Sequence, residues 1–261
     1  MISSESVKLI AKHFSDAAER YDRLAFIQND IRRELLDKIQ IRQGSWILDV
    51  GCGTGVLVGE LTQKNREGVN VGLDLVGGMV NRAKALNPKG RILQADAGGL
   101  PFKREVFDLI VSSSAYQWTN APGEVFAEAY RVLKKGGEFC AVLFGRETLR
   151  EFFESLRASS PRLKKDLAQI RVLSSERDIR LGMEQAGFRH CSVISEHRQV
   201  VFSDLWSLMM WMKSVGVNSL GSRIFLGREG LRATQRHYET HYGREGGISA
   251  TFEVVWVDAT K

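Results

Sequence analysis

The chain has 261 residues, 43% hydrophobic and 26% charged, with a formal net charge of +6; no repeat, low-complexity tract or Pro-rich or Gly/Ser-rich linker interrupts it, so one globular domain with insertions is expected. Three cysteines (Cys52, Cys140, Cys191), odd in number, widely spaced and outside any C-x-x-C pattern, argue against a disulfide framework and against a zinc site. The start from Met1 to Glu5 lacks a basic segment followed by an apolar one, and the apolar stretch Leu205 to Met212 is too short to span a bilayer, so a cytoplasmic protein without a membrane partner is expected.

Residues 5 to 40 read as helices that precede a sheet. Leu24, Ile27, Ile31, Leu35 and Ile39 recur at helical spacing and should lay an apolar face on the domain. Before them, polar and aromatic residues from His13 to Asp22 break the period, and Tyr21 and Gln28 are candidates to touch or cover a ligand; the bland alternative is a capping helix with a buried tyrosine. Trp46 to Val50 suits a strand buried on both faces. Glycines 51, 53 and 55 follow at once, and from Val56 to Leu61 the pattern is helical. Strand, glycine turn and helix is where an open parallel sheet binds small molecules. A dinucleotide site wants G-x-G-x-x-G, so that a pyrophosphate can rest on the helix N-terminus; here the third glycine comes one position early. The G-x-G-x-G that follows Asp49 resembles the first motif of Rossmann-like S-adenosylmethionine (SAM) methyltransferases, in which the glycines face the amino-acid end of the cofactor. Asp74 ends the next apolar run, where an acid accepts hydrogen bonds from ribose hydroxyls. Leu75 and Met79, just beyond, are assigned to the same site. The competing reading is a tight turn with a helix-capping acid.

Arg91 to Ala95 reads as a third strand ending at Asp96 and Ala97, a position that lies beside the adenine in the methyltransferase fold; for Asp96 an Asx turn into the loop 98–102 is the alternative. Val106 to Val111 makes a fourth strand, running through Ser113 into a polar and aromatic tip that ends at Trp118. A helix over Pro122 to Leu133, a turn at 134–137 and a fifth strand over Glu138 to Phe144 complete a strict alternation, which implies a parallel sheet. Arg146 to Ile170 is basic and helical, Ser175 to Ala186 is a helix stopped by Gly187, and 188–202 is strand-like. Ser203 to Val215 carries Leu205, Leu208, Met209 and Met212 on one face, Glu229 to Tyr242 is helical, and Ile248 to Val257 alternates as a last strand. With 188–202 and 248–257 as strands six and seven, 203–247 is an insertion above the sheet, a lid.

The whole chain resembles the malonyl-[acyl-carrier-protein] O-methyltransferases that open the pimelate arm of biotin synthesis. The residues that carry the resemblance are Phe14 with Tyr21-Asp22 and Ile27-Gln28, the run Leu48 to Gly55, the tip Ser114 to Trp118, Thr148 to Glu151, Trp211 to Asn218, Leu226 to Arg228 and Phe252 to Trp256. The turn Phe144 to Glu147 departs from it by its charge. The resemblance implies an α/β Rossmann-like methyltransferase with a mostly parallel seven-stranded sheet and helices on both faces. It implies a single domain over 1–261, with N-terminal helices at 1–40, a SAM-binding core at 41–145 and a helical lid at 203–247. SAM is the cofactor, bound by Tyr21, Gln28, Asp49, Gly51, Gly53, Gly55, Asp74, Leu75, Met79, Asp96, Ala97 and Ser113, and no metal is expected.

The same resemblance implies that the methyl goes to the free carboxylate of a malonyl thioester on acyl carrier protein. A carboxylate is already ionised at neutral pH, so no strong base is needed, and an arginine is the natural group to orient it. Arg146 and Arg150 are the candidates, one oxygen held and the other left free, or else solvated charges at a helix start, with Tyr116 and Gln117 shaping the pocket. Trp118 reads equally as a core aromatic. Lys213, Asn218 and Arg228 line the lid or cap its helices. Arg162, Lys164 and Lys165 are a docking cluster for the acidic carrier, or a solvated helix face. His237 and His241 stand i, i+4 but lack the glutamate of H-E-x-x-H and a third ligand. The stripe from Leu205 to Met212 with Trp206 and Trp211 reads as packing ahead of an acyl tunnel. A monomer that takes no nucleic acid is expected; the rival classes are a methyltransferase acting on RNA or another small molecule, whose RNA binding would weaken steeply with salt, and a SAM-binding protein without turnover.

Overall fold

The computed structural model describes residues 14–15, 21–119, 122–159, 173–215 and 227–261. Strands β1 (Trp46–Val50), β2 (Val69–Asp74), β3 (Arg91–Gln94), β4 (Phe107–Ser113), β5 (Leu133–Phe144), β6 (Arg189–Phe202), β7 (Gly243–Arg244) and β8 (Gly247–Thr260) form one sheet. Its order is β3-β2-β1-β4-β5-β8-β6, and β7 pairs with β8 alone. The first five strands run parallel, and β8 is antiparallel to both β5 and β6. This is the expected Rossmann-like methyltransferase architecture with one correction. The sheet has eight strands rather than seven, because the chain enters β8 through a short hairpin in which Gly246 and Gly247 take positive φ.

Nine helices are described: α1 (Tyr21–Leu24), α2 (Phe26–Lys38), α3 (Val56–Lys64), α4 (Gly77–Leu86), α5 (Pro122–Val132), α6 (Arg150–Ser159), α7 (Glu176–Ala186), α8 (Leu205–Ser214) and α9 (Gly227–Tyr242). Helices α2, α3, α6, α8 and α9 bury their apolar sides in one core cluster, α5 and α7 in another. Strand β1 lies between β2 and β4 with Ile47 and Leu48 fully buried, which is why its run is apolar without alternation. Helix α7 starts on a capping box, in which Ser175 Oγ accepts from Asp178 N–H and the Asp178 carboxylate accepts from Ser175 N–H, and it stops at Gly187 (φ +102°).

Two boundaries differ from the sequence reading, each for a long-range reason. Residues 134–137, expected as a turn, belong to β5, because Gly136 N–H donates to Lys261 O and Lys261 N–H to Gly137 O. The basic helix expected from Arg146 begins only at Arg150, since Leu149 (φ +60°) spends its N–H on Thr251 O; 160–172, with Arg162, Lys164 and Lys165, lie outside the described residues, as does Asn218.

The segments after β5 are tied to β8 by buried acids. Glu151, 4% exposed, accepts from Thr251 N–H at 2.9 Å and from the Thr251 hydroxyl. Glu253 accepts from Glu147 N–H at 2.7 Å, and a Cβ on Gly145 would fall 2.4 Å from its carboxyl carbon. The charged turn Phe144 to Glu147 is therefore shaped around Glu253. Leaving the buried Thr251 N–H unpaired costs about 1–3 kcal/mol, so Glu151 staples α6 to β8, while Glu253 ties the turn before α6 to the same strand. Trp211 of α8 joins them by an edge-on contact with Phe252, ring centroids 5.4 Å apart.

Candidate active site

A cavity of about 580 Å³ opens at the carboxyl ends of β1 to β4. Residues 49–54 end and follow β1, 73–76 end and follow β2, 95–99 follow β3, and 113–116 with Trp118 and Thr119 end and follow β4, while Phe14, Tyr21, Asp22, Gln28, Asn29 and Arg32 complete the lining from the N-terminal segment. Of the expected cofactor residues, Tyr21, Gln28, Asp49, Gly51, Gly53, Asp74, Leu75, Met79, Asp96, Ala97 and Ser113 line it. Gly55 does not: it turns the chain into α3 at φ +83°, against Ala83 and Asn87. Gly53 is the glycine that leaves room for a ligand, because a Cβ there would meet nothing within 4 Å, whereas one on Gly51 would strike Ala115 Cβ at 2.1 Å.

The two strand-end acids differ in what satisfies them. Asp74 accepts from Gly53 N–H at 2.8 Å and from Val76 N–H at 2.8 Å, one bond on each oxygen, and so keeps lone pairs for a ligand. Burial still raises its affinity for a proton, opposed by those backbone bonds. Asp49 is 1% exposed and its Oδ2 has no hydrogen-bond partner among the described residues. Burial, then the neighbouring Asp74 charge, push its carboxyl up to about 8, with Arg32 pulling the other way. Asp96 is exposed; its Oδ1 accepts from Gly98 N–H at 2.9 Å, the Asx turn that was its alternative, which leaves Oδ2 free of that bond.

Arg32, not singled out from the sequence, is the one described cation in the lining. Its side chain is 12% exposed, pairs with Glu60 and leaves Nε buried without a partner. It stands one turn after Gln28, whose Oε1 is likewise buried and unpartnered; the i, i+4 step from Gln28 was the signal available, masked by the apolar face read on the same helix. Phe14 also lines the cavity, with its ring 6.0 Å from Tyr21 and 5.5 Å, edge-on, from Trp118. Tyr116 lines the cavity with its ring stacked on Phe126, while Gln117 is buried outside the lining.

The structure does not bring Arg146 and Arg150 to this cavity. Arg146 pairs with Asp178 of α7 at 2.7 Å and Arg150 with Glu147 at 3.0 Å, both exposed. Neither lines the cavity, and the turn at Gly145 that precedes them packs against the Glu253 carboxylate. No described residue of 203–247 lines the cavity either: Lys213 and Arg228 are exposed on α8 and α9. On α8, Leu205, Leu208, Trp211 and Met212 are buried while Trp206 and Met210 are exposed. His237 stacks on His241 with Nδ1 3.1 Å from Ser155 Oγ, and among the described residues no group of three or more His, Cys, Asp or Glu could hold a metal. No helix among them is long and apolar enough to cross a membrane.

The lining carries Asp22, Asp49, Asp74, Asp96 and Glu124 against Arg32 alone. Orphaned oxygens on Asp49 and Gln28, and an open cradle at Gly53, ask for a cationic ligand with hydroxyls and an amino-acid end. Those are the features of SAM, and the residues present fit it.

Comparison with known proteins agrees. The methyltransferase domain family matches residues 48–141. A malonyl-[acyl-carrier protein] O-methyltransferase of Geobacter sulfurreducens is 32% identical over 256 residues, covering 93% of this chain and 94% of its own length. Among solved structures, the YcgJ protein of Bacillus subtilis superposes with a TM-score of 0.64 at 18% identity, over 88% of this chain and 97% of that one. A phosphoethanolamine N-methyltransferase 2 of Haemonchus contortus, in complex with SAM, does so with a TM-score of 0.58 at 17% identity, over 89% of this chain and 52% of that one.

Proposed function

The chain belongs to the malonyl-[acyl-carrier protein] O-methyltransferases, SAM-dependent enzymes, and from that membership we propose that it methylates the free carboxylate of a malonyl thioester on acyl carrier protein, the first step of pimeloyl-chain synthesis for biotin. The observation that carries the reading is the acidic cavity at the ends of β1 and β2. When bound, SAM supplies a methyl group on a positively charged sulfur, which an ionised carboxylate takes directly. Asp74 accepts the ribose hydroxyls, Asp96 the adenine amine, and Asp49 with Arg32 receives the oppositely charged ends of the amino-acid part. Phe14, Tyr21 and Trp118 exclude water at the mouth. Aligning two reactants in this way is worth about 7–11 kcal/mol in favourable cases.

Arg32 is committed to the cofactor side, so among the described residues no guanidinium is left for the acceptor. An acceptor carboxylate would instead be held by neutral donors at the β4 tip, Tyr116 first among them. Burial keeps the Tyr116 hydroxyl protonated far above neutrality, a donor at any working pH. A neutral donor also leaves the nucleophile its charge, which an arginine fork would blunt.

The test is a comparison of initial rates with labelled SAM on malonyl-carrier protein, malonyl-coenzyme A, free malonate and RNA. Transfer is expected to be fastest to the carrier-bound malonyl group. Faster transfer to RNA, or none to any malonyl compound, contradicts the proposal.

A second expectation follows from Asp49. Below about pH 8 its carboxyl holds a proton in the free protein, and a bound cation favours the ionised form. At pH 7 SAM binding then expels up to one proton, and affinity rises by as much as about tenfold per pH unit until it levels near pH 8. Titration calorimetry in two buffers of different ionisation enthalpy reads the proton directly. Identical heats in both, with affinity flat from about pH 6.5 to about pH 8.5, would show that Asp49 does not change charge.

A further inference from the structure

Helix α1 is four residues long, too short to hold itself together in water, yet it carries Tyr21 and Asp22 to the cavity. Ala25 (φ −83°, ψ 50°) breaks it from α2, which brings Gln28, Asn29 and Arg32 to the same wall. Three side-chain bonds tie this segment down. Thr54 Oγ1 donates to Asp22 Oδ1 at 2.7 Å and Asn29 Nδ2 to Asp22 O at 2.7 Å, both within the cavity wall. The third comes from outside it: Trp211 Nε1 on α8 donates to Leu24 O, at the break, at 2.9 Å.

The indole is fixed in turn. It is 8% exposed and packs on Phe26 (5.6 Å), Phe202 (5.6 Å) and Phe252 (5.4 Å). Its donor meets a carbonyl that marks the joint between two helices, each of which lines the cavity. We propose that Trp211 is a positioning residue that holds the α1–α2 joint, setting Tyr21, Asp22 and Gln28 against the cofactor and so coupling the inserted helix α8 to cofactor binding. No step of the transfer passes through the indole. The inference rests on the reading of the cavity as the SAM site. Because coupling between two sites is reciprocal, SAM bound below the joint must also steady α8.

Trp211→Phe keeps a ring among the three phenylalanines but removes the donor together with part of the indole's buried volume, so a second variant is needed to separate the two. Expected are a SAM dissociation constant raised on the order of fivefold, a kcat at saturating SAM within about twofold of wild type, and loss of the protection that SAM gives the amides of 205–214 against hydrogen exchange in the wild type. Phe152→Leu is the control: it loosens the same core cluster at a ring that is not among those packed on the indole, lowers Tm, and is expected to leave SAM affinity and the exchange response intact. Unchanged SAM affinity in Trp211→Phe overturns the proposal, as does an equal loss in Phe152→Leu, which would reduce the effect to general packing. A wild type that binds no SAM overturns the cofactor reading itself, and the proposal with it.

Discussion

Asp49→Asn is expected to weaken SAM binding on the order of 10²-fold while leaving the protein as stable as wild type or more so. Wild-type Asp49 is 1% exposed beside Asp74, so ionising it in the free protein sets two buried negative charges against each other. Its folded-state affinity for a proton is raised above the ordinary carboxylate value; the stability it contributes is therefore full at low pH and lost as pH climbs through about 8. Asparagine has the same shape and nothing to ionise. The Tm advantage of the variant should grow from about pH 6 to about pH 9, while the lost charge pairing, at ~3 kcal/mol for a buried cation left without its partner, removes the affinity. Thermal scans at three pH values beside titration calorimetry check both halves. A variant that loses Tm and SAM binding together would make Asp49 a structural acid.

Asp74→Ala should behave in the opposite sense for stability. Its carboxylate is spent on Gly53 N–H and Val76 N–H, so alanine strips two backbone donors of their acceptor as well as emptying the ribose position. Each charge-assisted bond lost is worth about 1.5–3 kcal/mol. SAM affinity should fall by on the order of 10²-fold or more, with a clear drop in Tm. The two acids stand at the ends of paired strands, yet Asp74 serves the fold as well as the ligand while the Asp49 Oδ2 has no partner among the described residues; the pair of variants separates these roles. Asp74→Ala with wild-type Tm would mean that the turn does not lean on the carboxylate.

What the sequence disclosed and what it withheld divide along the range of the contacts. The strand from Trp46 to Val50, the glycine turn and the acid at 74 are local patterns, and the structure draws them into one cavity. Helix α7 with its Gly187 stop was equally legible. Arg146 and Arg150 were placed at the site because they follow a strand whose carboxyl end faces it. Which way the chain leaves that strand depends on Glu253, more than a hundred residues later, and nothing near Arg146 records it. Arg32 was missed for the converse reason. Its helix was read for the apolar face, and the charge that turns toward the cavity is steadied by Glu60 on another helix. The extra strand β7 has no hydrophobic pattern to reveal it in two residues.

A crystal structure with S-adenosylhomocysteine tests most directly whether the two strand-end carboxylates grip the cofactor. The ribose hydroxyls should lie within hydrogen-bond distance of Asp74, and the amino-acid end between Asp49 and Arg32. A nucleoside bound with both acids out of reach would contradict it.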